Sequence, residues 1–518
     1  MPRPSVPAAA AGGGWRPGRE ELRRFALGGA FVVVAVIMLQ LVGRQAAGSS
    51  SPIAAGTVVL GLGLAAAVFF GIARDSSVGV LCWLFAALFT ETYPGVPIAR
   101  LTFVALVAGW FIAIVTHRRP LQRFGVTELL MLAFLLLNVG SAIAPHSLPA
   151  DADVTPNSLI FRGVLFPFML FVIARQTMTD RRAVKSFLSF LVIVGVYVTA
   201  TAIFYKLGPQ ALVFPREILD EGLGINPERA RGPQLNSAAD GLTMVAAMIA
   251  AIYLGVQKDT RHRRLVIAAA LLMPVGIFLT ETRSIWLSVG IAVILGAMFA
   301  RGFRRWYLVV LGLATLVIGI NWQKFLSADR QQGGVSSAGE VEARLNDWAT
   351  ALWAIPHHKA FGWGISRFPE INTIHHQHWG NLDWNLGYGF IGHNTHLTTG
   401  AELGLIGLGL WLAVLVSVTV ATSRAWRVLP RDGLLSRGFV FSFWCAWLGW
   451  LINSIVLEMR LFTFLNGLFF VWAGIVAGIG DRARDGTLDV GSGEEERPEP
   501  PAPGPASASD LDFQMGRA

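Results

Sequence analysis

The sequence predicts an all-α, polytopic membrane helix bundle of about fourteen spans, with one large helical loop on its outer side. Three observations carry that expectation. Of the 518 residues, 53% are hydrophobic and 14% charged, whereas soluble domains carry about 25% charged residues. The apolar residues gather in long runs, each near the roughly 20 residues a helix needs to cross the hydrocarbon, and mean hydropathy is +0.54. Lysine and arginine alternate regularly between successive loops.

Each run must be a helix, because backbone N–H and C=O groups find no water partner in lipid. In chain order the runs are Phe25–Val42, Ile53–Ile72, Val78–Thr90, Ile98–Val115, Leu129–Ala144, Leu159–Ile173, Val184–Tyr205, Ser237–Val256, Leu265–Thr280, Ser284–Ala300, Trp306–Ile320, Thr395–Thr422, Gly438–Ile455 and Leu461–Ile479. Val78–Thr90 is the shortest and is also compatible with a partly re-entrant path. The first run is longer than a signal-peptide core and lacks a clean small-x-small cleavage site, so it reads as an uncleaved anchor.

Charge sets the orientation. Arg16, Arg19, Arg23 and Arg24 precede the first run. Alternate loops then carry Arg118/Arg119/Arg123, Arg181/Arg182/Lys185, Lys258/Arg261/Arg263/Arg264, Arg301/Arg304/Arg305 and Arg424/Arg427/Arg431/Arg437. That asymmetry puts both termini in the cytoplasm of a multi-pass protein of the cytoplasmic membrane. The net charge of +9 therefore reports topology among membrane lipids and not nucleic-acid binding. The expected organisation is a cytoplasmic segment 1–24, eleven spans over 25–320, an extracytoplasmic loop 321–394, three spans over 395–480, and a disordered cytoplasmic tail 481–518 whose Pro/Ala/Ser-rich composition buries no core. Cys82 and Cys445 both fall inside runs, which speaks against a disulfide framework.

Two outer loops are substantial, Lys206–Asn236 and Asn321–Asn394. Loops as long as the second are usually functional, and it holds six of the ten histidines. Within it "EARLNDWATALWAI" predicts a helix whose Leu345, Trp348, Leu352 and Ile355 share one face, suited to lie on the membrane surface or the bundle. The stretch "GYGFIGHNTHLTTGAELGLIGLGL" then runs from polar loop into the twelfth span. Its His393, His396, Gly400, Gly404 and Gly407 fall on one helical face. A glycine stripe admits another backbone, so this face should point into the bundle and turn His393 towards protein. A lone boundary histidine is more often structural than reactive. One on a buried stripe, beside several outer-face arginines, becomes a candidate base.

Arg100, Arg162, Arg231, Arg283, Arg344 and Arg460 all fall at outer span ends or in outer loops. An ion pair or interfacial snorkelling accounts for Arg100 and for Arg460, which has Glu458 nearby. Arg283 has Glu281 as a simple partner. A cluster of guanidinium groups facing a cavity would also suit a diphosphate, which such groups grip bidentately. Two metal readings are weak. "IHHQH" (His375, His376, His378) lacks the spacing of a defined zinc site, and the D-x-D of Asp151 and Asp153 is too short a pattern to specify a cation. No P-loop, nucleophile elbow or dinucleotide fingerprint occurs, which argues against an ATP-driven pump.

These residues together resemble the O-antigen ligase/polymerase superfamily of bacterial membrane glycosyltransferases. Its ligases carry H-[NSQ]-x9-G-x-x-[GTY], and here His393-Asn394, nine residues, Gly404, two residues and Gly407 fit that pattern. The R-x3-W of Arg344 and Trp348, followed by "HHKAFGWGISRF", looks like the family's outer-loop motif. "RGPQLNSAADGL" from Arg231 and "TRSIWL" around Arg283 look like its two arginine-bearing helix starts. The resemblance runs from Arg231 to Gly409. It implies a GT-C-like bundle, a polyprenyl-diphosphate-linked glycan as donor, a glycan or lipid-glycan acceptor, and inverting transfer on the outer face without metal or cofactor. His393 would be the general base, and Arg231, Arg283 and Arg344 would hold the donor diphosphate. Asn394, His396, Gly404 and Gly407 would support the site. Fourteen spans exceed the family's usual number and the tail is extra, so ligase and polymerase both stand. A transporter or flippase of lipid-linked saccharides is the competing class. It would need no base at one mouth, and its cavity would call for basic residues at both faces.

Overall fold

The computed structural model describes residues 75–93, 98–116, 122–320, 322–327 and 339–488. The segment 1–24, the runs Phe25–Val42 and Ile53–Ile72, and the tail from 489 lie outside the described residues. Each of the other predicted runs is a helix, and the described residues contain no strand. The helices are α1 (Ser76–Leu88), α2 (Ile98–Val115), α3 (Val126–Ile143), α4 (Pro156–Thr177), α5 (Arg181–Leu207), α6 (Ser237–Val256) and α7 (Arg263–Leu279). They continue as α8 (Arg283–Phe299), α9 (Arg304–Ile320), α10 (Gly339–His357), α11 (Phe368–Ile374), α12 (Thr395–Val428), α13 (Arg437–Val456) and α14 (Thr463–Arg484).

Eight of them, α2 to α6 and α12 to α14, are long and apolar enough to cross a membrane. The expected span count is larger, and length explains part of the difference. α1 has 13 residues, about 20 Å of helix at 1.5 Å per residue, which falls short of roughly 30 Å of hydrocarbon. It is instead wedged among other helices. The Trp83 indole donates to the Ala99 carbonyl at 2.9 Å and its ring lies against Gly467.

The core forms around α14 and α6, whose apolar windows are 100% and 94% buried. Small residues make that possible. A Cβ on Gly474 or Gly478 would run into the carbonyl oxygens of Phe171 and Arg175. These two glycines, one helical turn apart, let α14 and α4 touch backbone to backbone, the usual route to helix association in lipid. Gly195, Gly241 and Gly276 make room instead for side chains of neighbouring helices, Ala247 and Met273, Ile285, and Met244 and Thr199 respectively, among α5, α6, α7 and α8.

α12 differs from the expected uninterrupted span. Gly404 sits at φ 67° and breaks it. The segment 359–364 enters the gap and pairs with both sides. Trp363 and Gly364 N–H donate to the carbonyls of Ala401 (3.0 Å) and Glu402 (2.8 Å), and the Leu405 and Ile406 N–H donate to those of Lys359 (2.8 Å) and Ala360 (3.3 Å). A helix break strands backbone groups that lipid cannot satisfy, so protein must supply partners. Here the loop does so. A Cβ on Gly404 would collide with the Ala360 carbonyl. The glycine stripe therefore receives the loop: Gly400 faces Ile355 of α10 and Gly404 faces 360–362.

α10 forms as expected, and the side opposite its apolar face packs within the loop. That buried side is small and polar, formed by Asn346, Asp347, Thr350, Ala351 and Ala354. On the apolar face Leu352 is exposed, while Ile355 meets Gly400. Asn346 anchors the polar side: its amide donates to the carbonyls of Asp383 and Leu386 and accepts from Trp379 N–H, so this side folds the loop onto itself.

Candidate functional site

The starts of three helices, α6, α8 and α12, meet the end of α13 at one end of the bundle. Ser237 at the start of α6 hydrogen-bonds Thr282, the N-cap residue of α8, at 3.2 Å. One and a half turns into α8, Ser288 accepts from the Asn453 amide of α13 at 2.9 Å. The next residue of α13, Ser454, bonds His396 of α12 at 2.9 Å. Arg283 and His393 therefore begin helices that abut adjacent residues of α13. α10 closes over this end and brings Arg344 and Asp347 to it.

At its centre is an imidazole–carboxylate pair. His393 Nδ1 lies 2.7 Å from Asp347 Oδ2. The Asp347 side chain is 1% exposed and that of His393 26%. Asn372 donates from Nδ2 to the other Asp347 oxygen at 2.8 Å, and its own Oδ1 accepts from buried His376 Nδ1 at 2.6 Å. Burial pushes the Asp347 carboxyl above its ordinary value, while His393, Asn372 and Arg344 pull it back. Both carboxylate oxygens thus accept, which favours the ionised form. A carboxylate offers no proton, so Nδ1 of His393 carries one and donates it. Nε2 is left as the basic lone pair.

Asp347 is the residue that sequence reading missed. It lies inside the R-x3-W motif, three residues after Arg344, and on the polar side of α10. The signal was an acid facing away from the apolar stripe.

His396 does not compete for the role. Trp411 Nε1–H donates to its Nδ1 at 3.2 Å, so Nε2 carries the proton and donates to Ser454 Oγ. Both nitrogens are committed. Asn394 caps α12, accepting from the amides of His396 and Leu397 at 3.0 Å each. This is the preferred chemistry for a helix start, and it fixes the direction in which His393 leaves the helix. Gly407 lies just beyond the break, where a Cβ would strike the Leu403 side chain.

The arginines separate into different kinds. Arg231, expected to face a shared cavity, is fully buried. Its Nε donates to the Ile218 carbonyl at 3.1 Å, Nη2 to Asp220 at 2.6 Å and Nη1 to Leu223, and it stands over the Tyr205 ring. In this geometry it staples the 216–223 turn and presents no surface to a ligand. Arg283 is half-buried at the first position of α8. Glu281, its simplest partner by sequence, forms an ion pair with Lys206 at 2.8 Å. Arg344 is half-buried and its charge acts on Asp347.

The remaining arginines are structural. Arg460 is clamped between Glu458 and Glu402 at 2.8 Å each, as expected for the first partner. Arg162 pairs with Glu91 at 2.9 Å, and Arg100 covers the Phe161 ring.

The histidines of "IHHQH" go to separate partners. His375 stacks on Trp353, His376 bonds Asn372, and His378 meets Trp384 edge-on. Asp151 accepts from the amides of Asp153 and Val154, closing its own turn. Among the described residues no three His, Cys, Asp or Glu side chains converge as metal ligands.

A family model described as O-antigen ligase matches residues 268–412. The match takes in Arg283, Arg344, Asp347, His393, Gly404 and Gly407, and it begins after Arg231. No curated protein matches the chain.

Proposed function

We propose that the chain, whose residues 268–412 match the O-antigen ligase model, is a membrane glycosyltransferase of the O-antigen ligase/polymerase type that moves a glycan from a polyprenyl diphosphate to an acceptor hydroxyl. The single observation that carries this reading is the His393–Asp347 pair, in which Nε2 of a part-exposed imidazole takes no hydrogen bond from the described residues. A transporter or flippase that moves no protons needs no oriented base at one mouth.

The step proposed here uses that pair. His393 Nε2 takes the acceptor hydroxyl proton as the oxygen attacks the anomeric carbon. The bond from that carbon to the diphosphate oxygen breaks, the configuration inverts, and polyprenyl diphosphate leaves with both electrons of that bond. Asp347 stabilises the imidazolium that forms and holds the ring in its working tautomer, as a buried carboxylate does beside a catalytic histidine. The leaving diphosphate gains negative charge, which cations fixed in advance stabilise best. Arg283 and Arg344, at the same end of the bundle, are the candidates for that work. Arg231 acts indirectly, by ordering the 216–223 turn.

The charge alternation supports placing this end outside the cytoplasmic membrane, where lipid-linked glycans are presented. The test is reconstitution with a lipid-linked glycan donor and measurement of diphosphate release. Release by the parent protein, lost in His393→Ala, supports the reading. Release that persists in His393→Ala removes it.

A further inference from the structure

Between Ile371 and His393 the chain has four aromatic side chains standing in solvent. Trp379, Trp384, Tyr388 and Phe390 are each 46–50% exposed. Exposed aromatics in this number mark a surface that meets something. Their support is unusual for a surface loop. Two fully buried asparagines hold the backbone from inside: Asn346 binds Trp379 N–H and the carbonyls of Asp383 and Leu386, and Asn372 binds the carbonyls of Gly387 and Phe390. Asn372 is the same residue that holds Asp347.

The rings are also tied to the base. Phe390 lies 5.9 Å from the His393 ring, while Trp384 and Tyr388 pack edge-on against His376 at 5.0 and 5.5 Å. A preorganised loop binds with less ordering cost than a flexible one. Building such a loop into the network that orients a catalytic base suits a surface that delivers the group to be deprotonated.

Chemistry selects the occupant. The segment from Ile371 to His393 has no Lys or Arg, and its one acid is Asp383. Interfacial belts set Trp and Tyr at headgroup level on either side of a membrane, whereas anionic lipid surfaces are met by Lys and Arg. This loop interleaves its aromatics with amides, Asn381 and Asn385. Rings flanked by amides fit uncharged sugars: the electron-rich ring face receives the C–H face of a pyranose, and the amides meet its hydroxyls.

We propose that the Trp379–Phe390 loop is the binding platform for the acceptor, and that the acceptor presents uncharged pyranose rings there. This rests on the transferase reading, because the hydroxyl beside His393 belongs to the acceptor.

The test uses the full-length protein in lipid nanodiscs with neutral hexasaccharides of glucose, mannose and galactose as probes, read by saturation-transfer NMR. At least one should bind. Trp384→Ala and Trp379→Ala should each weaken it about tenfold, and Trp384→Phe, which keeps a ring, by no more than about threefold. The proposal falls if no hexasaccharide binds, or if the alanine variants bind undiminished. It falls equally if those variants lose only quenching by brominated lipids, which would make the loop a membrane anchor. Saccharide binding together with diphosphate release that persists in His393→Ala would sink the transferase mechanism and leave this platform standing. Failure of every probe alongside an inactive His393→Ala would do the reverse.

Discussion

His393 and Asp347 are 46 positions apart in the chain and 2.7 Å apart at Nδ1 and Oδ2. One begins α12 and the other sits on the buried side of α10, with Asn372 binding the carboxylate from behind. Their contact converts a boundary histidine into an oriented one.

The first prediction concerns that pair. His393→Ala should lower transfer by about 10²–10⁴-fold, the usual cost of a lost general base. Asp347→Asn keeps the shape but lets either amide atom face Nδ1, so the working tautomer is no longer enforced, and a loss of about 10²-fold or more is expected. Single-turnover transfer with lipid-linked donor measures both. An Asp347→Asn protein at the parent rate would reduce the pair to scaffolding.

Arg231 and Arg283 should fail differently. Arg231→Ala takes the donor from three carbonyls, and the buried one, that of Ile218, costs about 1–3 kcal/mol when left without a partner. The melting temperature should drop and the 216–223 turn should become protease-sensitive. Lysine should not rescue it, because an ammonium has no planar fork. Arg283→Ala should stay folded and lose donor turnover, with partial return in Arg283→Lys. A stable Arg231→Ala variant defective only in donor affinity would return that residue to the diphosphate.

Gly404→Ala tests the broken helix. The added methyl meets the Ala360 carbonyl, and the residue already stands at φ 67°, a region that side chains disfavour. The 359–364 segment should lose its seat, with transfer falling at least tenfold although the mutation touches no reacting group, since small displacements of catalytic groups cost about that much or more. Protease cleavage between Lys359 and Gly364 reports the undocking. Full activity with an intact loop would mean that the pairing at the break is dispensable.

His376 gives the loop a pH dependence. Burial pushes its pKa below the ordinary 6.5, so below that value the unfolded segment binds more protons than the folded one. Stability is then fully present above pH 6.5 and declines as pH falls towards the depressed folded value. Limited proteolysis of the loop should accelerate at pH 5.5 relative to pH 7.5, and His376→Asn should abolish the difference. An unchanged pH response in that variant would assign the effect to another group.

Topology has its own test. With Cys82 and Cys445 replaced, a cysteine at Thr373 should react with a membrane-impermeant reagent in intact cells, and one at Asp432 should not. Labelling at Asp432 would invert the bundle, and the site would then face the cytoplasm.

Much of this molecule was legible in the sequence for a physical reason. In lipid an apolar run has one hydrogen-bonded conformation open to it, so the helices of the apolar runs follow from composition, while α10 shows only as an amphipathic pattern and the short α11 gives no such signal. The Asn394 cap and the position of His393 at the head of α12 are equally local, set within a few residues. The breaks and partners are not local. Gly404 looks like a packing residue until the 359–364 segment arrives to satisfy the backbone it frees. Asp347 is one acid among the 33 acidic residues until α10 folds against α12. Arg231 and Arg283 are alike as letters, yet one donates to carbonyls of a turn 8 to 13 residues away and the other heads a helix. Side-chain pattern encodes which face is apolar. Where a guanidinium or imidazole finds its partner depends on backbone atoms and distant helices whose positions only packing decides.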